Sequence, residues 1–285
     1  MSPATDGGSA APVLQIRGAA LRRPGGRSGD RELWSGLDLD VRPGEFIAVL
    51  GPSGSGKTTL LRSILGLQAL SAGRILVGGE PVRRGNRRIG YIPQQRPYAP
   101  DTALRGRDVV ALGIQGPRFG LPIPRRTDRS RVDDVLADVG ASAFADRRVG
   151  ELSGGEQQRL RVGQALVDHP SLLLCDEPLS NLDLANQQGV TDIIDRQRRE
   201  HGAAVLFVTH DINPILGKVD RILYIAGGRF MLGTPDEVLQ SRVLTDLYGA
   251  PVFVLRAGDR LVVVGIPDAE PHHAHDDDQH PRSVA

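Results

Sequence analysis

Short, uniformly apolar runs at 46–50, 172–175, 205–208 and 222–225 are the strongest pattern in the chain. Runs of this length without polar alternation predict the central strands of a parallel sheet, buried on both faces. Residues 13–16 and 37–41 also read as strands, the second alternating apolar residues with aspartate. The stretch 22–36 between them is rich in arginine and glycine and reads as a long exposed loop. Leu60, Leu61, Ile64 and Leu65 share one face of a helix predicted over 57–67. A strand at 74–77 followed by Gly78 and Gly79 predicts a hairpin.

The pattern changes over 95–150. Pro97, Pro100, Pro117, Pro122 and Pro124 punctuate helical stretches, and Val132, Val135, Leu136 and Val139 recur at i, i+3, i+4 and i+7 before a stop at Gly140. This segment reads as a helical insertion in an α/β layout. Thr234, Pro235, Asp236 and Glu237 form a capping-box pattern with proline at the first helical position, predicting a helix that runs toward Tyr248. Residues 252–255 and 261–264, joined around Gly258 and Asp259, predict a last hairpin. The expected organisation is a disordered leader over 1–12, an α/β core over 13–94 and 151–266, a helical subdomain over 95–150, and a His/Asp-rich disordered tail over 267–285.

Composition narrows the function classes. Lys and Arg total 35 against 34 for Asp and Glu, so no global field points to nucleic acid. Lys57 and Lys218 are the chain's lysines, every other basic side chain being arginine. A lysine kept at 57 points to a need for a compact ammonium there. Cys175 is the single cysteine, which excludes an intramolecular disulfide, sets a reducing compartment as the default and reads as a small buried strand residue. No apolar run approaches the length that crosses a bilayer, and the N-terminus lacks a signal-peptide pattern, so a membrane role is expected to be peripheral.

Gly51, Pro52, Ser53, Gly54, Ser55, Gly56, Lys57 and Thr58 match the P-loop pattern between a predicted strand and a predicted helix. Glycines let backbone amides wrap a phosphate closely, the helix N-terminus adds its dipole, and Lys57 reaches the β- and γ-phosphates. The Thr58 hydroxyl suits a Mg²⁺ position, and Thr59 continues the loop's contact with nucleotide. The strand at 172–175 ends in Asp176 and Glu177, which places two carboxylates at the edge of the crevice. Asp176 suits the Mg²⁺ shell, and Glu177 suits a base that polarises the attacking water. Ser153 and Glu156 form a capping box around Gly154 and Gly155. Two glycines in a first helical turn weaken the helix by roughly 1 kcal/mol each. They make sense where a phosphate approaches bare amides.

Residues 153–159, Ser-Gly-Gly-Glu-Gln-Gln-Arg, resemble the signature of the ABC ATPase family, and the resemblance spans about 13–264. It implies a P-loop NTPase core of RecA-like type with an antiparallel β subdomain and a helical subdomain. It also implies a head-to-tail homodimer in which the signature of one subunit (Ser153, Gly154, Gly155, Glu156) caps the γ-phosphate of ATP on the partner's P-loop. By the same resemblance Gln94, in Tyr-Ile-Pro-Gln over 91–94, belongs to a loop that senses Mg²⁺ and the transmembrane partner. Ser180, Asn181, Leu182 and Asp183 link the two sites across the interface, and His210 contacts the γ-phosphate. The family usually stacks adenine on an aromatic residue upstream of the P-loop. None stands near Ala20 to Arg23, where Leu21 by packing or Arg22 by planar stacking is the candidate substitute.

One cassette without a membrane span implies separate integral membrane permease subunits, with this chain at the cytoplasmic face of the cell membrane. The layout resembles bacterial importers, which also implies an extracytoplasmic solute-binding protein. The segments 210–214, 233–239 and 247–252 are similar to zinc/manganese-type importer ATPases. Alternatives are an importer of another solute such as a metal chelate, or a soluble single-cassette ATPase of the cluster-assembly type. His272, His273, His275 and His280, interleaved with Asp276 to Asp278, read either as a solvated tail or as a metal sensor. Arg125, Arg126, Arg129 and Arg131 read as a solvated face.

Overall fold

In the computed structural model the described residues are 11–23, 31–94, 97–115, 126–258 and 260–265. The apolar runs form the middle of a six-stranded sheet: β3 (Phe46–Leu50), β7 (Leu172–Asp176) and β8 (Ala204–Val208) are buried along their whole length. With β6 (Ile89–Ile92), β9 (Arg221–Ala226) and β10 (Arg229–Gly233) the order is β10-β9-β3-β8-β7-β6. All neighbours run parallel except β10 against β9. Alternate side chains serve opposite faces. Phe46, Ala48 and Leu50 join a core shared with the helices, whereas Ile47 and Val49 join a second core shared with α1 (Lys57–Ile64) and a smaller sheet.

That smaller sheet is antiparallel, with the order β2-β1-β4-β5. Its strands are β1 (Leu14–Arg23), β2 (Arg31–Val41), β4 (Ala72–Val77) and β5 (Glu80–Pro81). The loop expected over 22–36 is therefore corrected at both ends. Leu21 pairs with Trp34, and Arg22 with Glu32. Trp34 is 1% exposed. Burying an aromatic of that size outweighs the turn preference of the surrounding Arg and Gly. Register shifts along β1 also blur the alternation that would have revealed the strand.

The helical insertion contains α2 (Gly106–Gln115) and α3 (Arg126–Asp138). Val132, Val135, Leu136 and Val139 are all buried, and Gly140 stops the helix at φ 65°. Pro117, Pro122, Pro124 and Arg125 lie outside the described residues. Next come α4 (Gly154–Leu166) and α5 (Leu184–His201), whose apolar faces join the helical core. The helix expected from Pro235 to Tyr248 is two helices, α6 (Pro235–Val238) and α7 (Ser241–Tyr248). Val238 and Leu239 turn into the core, and Gln240 takes an extended conformation that ends the first helix. The last hairpin is formed by β11 (Val252–Ala257) and β12 (Arg260–Gly265). Residues 1–10 and the His-rich tail lie outside the described residues.

Candidate active site

The loop between β3 and α1 is fixed from both sides. Gly51 sits at φ 141°, and a Cβ there would collide with the Ile225 carbonyl on β9. Gly56 sits at φ 98°, and a Cβ there would lie 2.8 Å from the indole nitrogen of buried Trp34. Side chains are excluded at both positions by backbone conformation and by space. Lys57 is 7% exposed, and its Nζ donates to the carbonyls of Gly51 and Pro52 at 2.7 and 2.9 Å. Burial lowers its pKa, while the nearby Glu177 and Asp176 carboxylates pull the other way.

Asp176, at the end of β7, is 4% exposed and accepts from the Thr58 hydroxyl at 3.0 Å and the Tyr91 hydroxyl at 3.2 Å. Burial pushes its carboxyl above the usual carboxylate range, and the two hydrogen bonds oppose that push. Tyr91 is pushed up to about 12, by burial first and by the Asp176 charge second. A hydroxyl and a carboxylate held together in this way form the hard oxygen set that Mg²⁺ accepts, so Thr58 and Asp176 fit that ion. Tyr91 is absent from the sequence-derived site. It arrives because β6 pairs in register with β7, Tyr91 beside Leu174 and Ile92 beside Cys175.

Glu177 follows at φ 48°, a conformation that non-glycine residues seldom adopt. Three groups gather on its carboxylate. Gln94 Nε2 and Ser180 Oγ each donate to Oε2 at 3.2 Å, and His210 Nδ1 stands 3.7 Å from the same oxygen. Gln94, expected near both the metal and the reaction, is placed here on the Glu177 side. Asn181 also has positive φ, at 61°, and lines the same cleft as Gln94, Glu177 and His210.

The signature residues form the expected capping box at the start of α4. Glu156 Oε2 accepts from the Ser153 N–H at 2.8 Å, and Ser153 Oγ accepts from the Glu156 N–H at 3.3 Å. For Gly155 the structure supplies a reason inside the chain: a Cβ would collide with the Asn186 side chain of α5. Asp183 in turn caps α5 and holds Asn186 by two bonds of 2.8 Å. The clefts beside the P-loop and Glu177 include no residue of 153–156 in their linings.

The cleft beside Gly54, Gly56 and Thr59 is walled by Arg22, Leu33 and Gln68. Leu21 is fully buried, which removes it as a stacking surface for a base and leaves Arg22. Leu33 was hidden in the sequence by the expected loop.

A P-loop between a buried parallel strand and a helix, facing Asp176 and Glu177 at a strand end, defines a P-loop nucleoside triphosphatase. Residues 34–180 match the family model described as ABC transporter. The chain belongs to that family, as an ATP-binding cassette. It is 36% identical over 233 residues to the sn-glycerol-3-phosphate import ATP-binding protein UgpC 1 of Rhizobium johnstonii, covering 78% of this chain and 61% of the relative. The zinc import ATP-binding protein ZnuC of Cereibacter sphaeroides is 36% identical over 223 residues, covering 78% of this chain and 85% of the relative. The chain thus spans about three fifths of the first relative's length and most of the second's. Among solved structures, a metal-chelate-type ABC transporter in an inward-facing conformation superposes with TM-score 0.74 at 26% identity, over 90% of this chain and 98% of the other. The dimeric cassette MJ0796 bound to ADP and phosphate superposes with TM-score 0.66 at 27% identity, over 78% and 98%.

Proposed function

We propose that this chain hydrolyses ATP to drive import of a divalent transition metal ion, zinc or manganese, through a separate membrane permease. The observation that carries the hydrolytic part is the convergence of Gln94, Ser180 and His210 on Glu177, beside the P-loop. P-loop amides and Lys57 bind the phosphates. Thr58 and Asp176 would hold Mg²⁺, which when bound neutralises charge on the transferring phosphoryl group. Glu177 takes the proton of the attacking water, and the donors on its Oε2 keep the carboxylate aimed. His210 acts at the γ-phosphate. Ser153, Gly154, Gly155 and Glu156 cap the partner's nucleotide in a head-to-tail dimer, a reading supported by the dimeric relative. The nucleotide-driven closure of that dimer rocks the permease between two accessible states.

Support for a metal substrate comes from the zinc-import relative and the metal-chelate-type neighbour. Relatives named for spermidine/putrescine, aliphatic sulfonate and Fe(3+) import are 36%, 38% and 39% identical, and metal uptake tests the choice. None of the described helices is long and apolar enough to cross a membrane, in keeping with a peripheral subunit on a permease. Uptake of radiolabelled Zn²⁺ and Mn²⁺ is compared in cells carrying the wild-type chain or Lys57→Ala. Loss of uptake of one metal in the variant is the expected result. Equal uptake of both would overturn the metal reading.

A further inference from the structure

The segment carrying His210 is fastened to the far end of the chain. Thr209 Oγ1 donates to the Asp211 carbonyl at 2.9 Å and accepts from the Asp211 N–H at 3.1 Å, which folds the backbone tightly around His210. Asp211 Oδ1 then accepts from both the backbone N–H and the side-chain amide of Asn213, at 2.9 and 2.8 Å. The other bonds of that amide leave the segment. Asn213 Nδ2 donates to the Leu261 carbonyl at 2.9 Å, and Asn213 Oδ1 accepts from the Leu261 N–H at 2.8 Å. One side chain thus satisfies both backbone groups of a residue on β12, as a neighbouring strand would. Its donors and acceptor are all engaged, and the partner lies 48 positions away.

The hairpin it grips is part of the site's wall. Val252, Val263 and Gly265 line one cleft together with Gly51, Ser53, Glu177 and His210. His210 itself is 68% exposed at its side chain, and among the described residues only the 3.7 Å approach to Glu177 holds it. Its placement therefore depends on its backbone, which the Thr209–Asp211 bonds fold and Asn213 ties to β12.

We infer that Asn213 is a positioning residue for hydrolysis, using β12 as a fixed edge to set His210 against Glu177 and the γ-phosphate. The inference rests on the reading of His210 given above. Asparagine is the residue this role demands. Aspartate has the same shape but would set a carboxylate against the Leu261 carbonyl and the Asp211 carboxylate, losing both donors.

The test is steady-state ATP hydrolysis by the purified chain and by Asn213→Ala, Asn213→Asp, His210→Ala and the double variant His210→Ala/Asn213→Ala. For Asn213→Ala the expected result is kcat lower by about tenfold, with KM for ATP within about twofold of wild type. Asn213→Asp is expected to fall at least as far. Being isosteric, it also keeps the inference testable if the alanine variant does not fold. In the His210→Ala background, Asn213→Ala is expected to change nothing further, because the group it positions is gone. Wild-type kcat in both Asn213 variants, or an undiminished tenfold fall in the double variant, overturns the inference while leaving the hydrolytic reading intact. Normal turnover by His210→Ala overturns the role of His210 itself, and the inference with it.

Discussion

The P-loop and the signature turn are both glycine-containing starts of helices, yet the chain surrounds them differently. At the P-loop, Lys57 is folded back on the Gly51 and Pro52 carbonyls, Thr58 is bonded to Asp176, and clefts open directly beside the loop. Charges of both signs are already gathered there. At the signature, Ser153 and Glu156 satisfy one another's amides, Gly155 is packed by Asn186, and those clefts include none of the four residues in their linings. The first region is a binding site assembled within one chain. The second is a capped helix end packed by its neighbour, which suits the proposal that its ligand is presented by another molecule. That contrast fits the shared, two-chain active site proposed above.

The largest effect should come from the assembled half. Glu177→Gln is expected to lower ATP hydrolysis by about 10²–10⁴-fold while ATP binding persists, because the amide keeps its shape but cannot take the proton. Normal turnover in that variant would assign the water to another group. A smaller effect tests the other half. Gly155→Ala is expected to lower hydrolysis by about tenfold, through collision with Asn186 rather than through the γ-phosphate. Adding Asn186→Ser should restore most of the loss, and a double variant no better than the single would place the demand for glycine in the partner's phosphate.

The smallest effect is on stability. Burial raises the Asp176 carboxyl, so the folded chain resists that charge, and stability is lost as pH rises from the ordinary carboxylate range through the raised value. Asp176→Asn removes the charge and should raise the melting temperature at pH 7. The gain should shrink toward acidic pH. Hydrolysis should be lost in the same variant, and a lower melting temperature would show that the carboxylate stabilises the site.

Much of this contrast was legible in the chain itself because it depends on short-range chemistry. Glycines at fixed offsets before Lys57, a strand ending in two carboxylates and the Ser153/Glu156 box each declare themselves within a few residues. The apolar runs likewise declare the parallel sheet. What stayed hidden depends on pairing between distant segments. Trp34 reads as part of a loop because nothing nearby shows that Leu21 stands opposite it. Tyr91 reaches Asp176 only through the register of β6 on β7. The Gly155 contact with Asn186 and the Asn213 grip on Leu261 likewise join residues whose proximity no periodicity reveals. The two C-terminal helices read as one because Thr234 and Pro235 announce where a helix begins, while the break at Gln240 is set by burial of Val238 and Leu239.

The position of Trp34 has a practical side. It is the chain's one tryptophan, it is sealed from solvent, and its indole nitrogen faces the backbone of Gly56 with no hydrogen-bond partner among the described residues. Excited indole is sensitive to the charges and dipoles beside it, and here its neighbour is the P-loop. The molecule therefore carries its one tryptophan beside the proposed nucleotide seat, and occupancy of that seat is expected to change its emission without any label being attached.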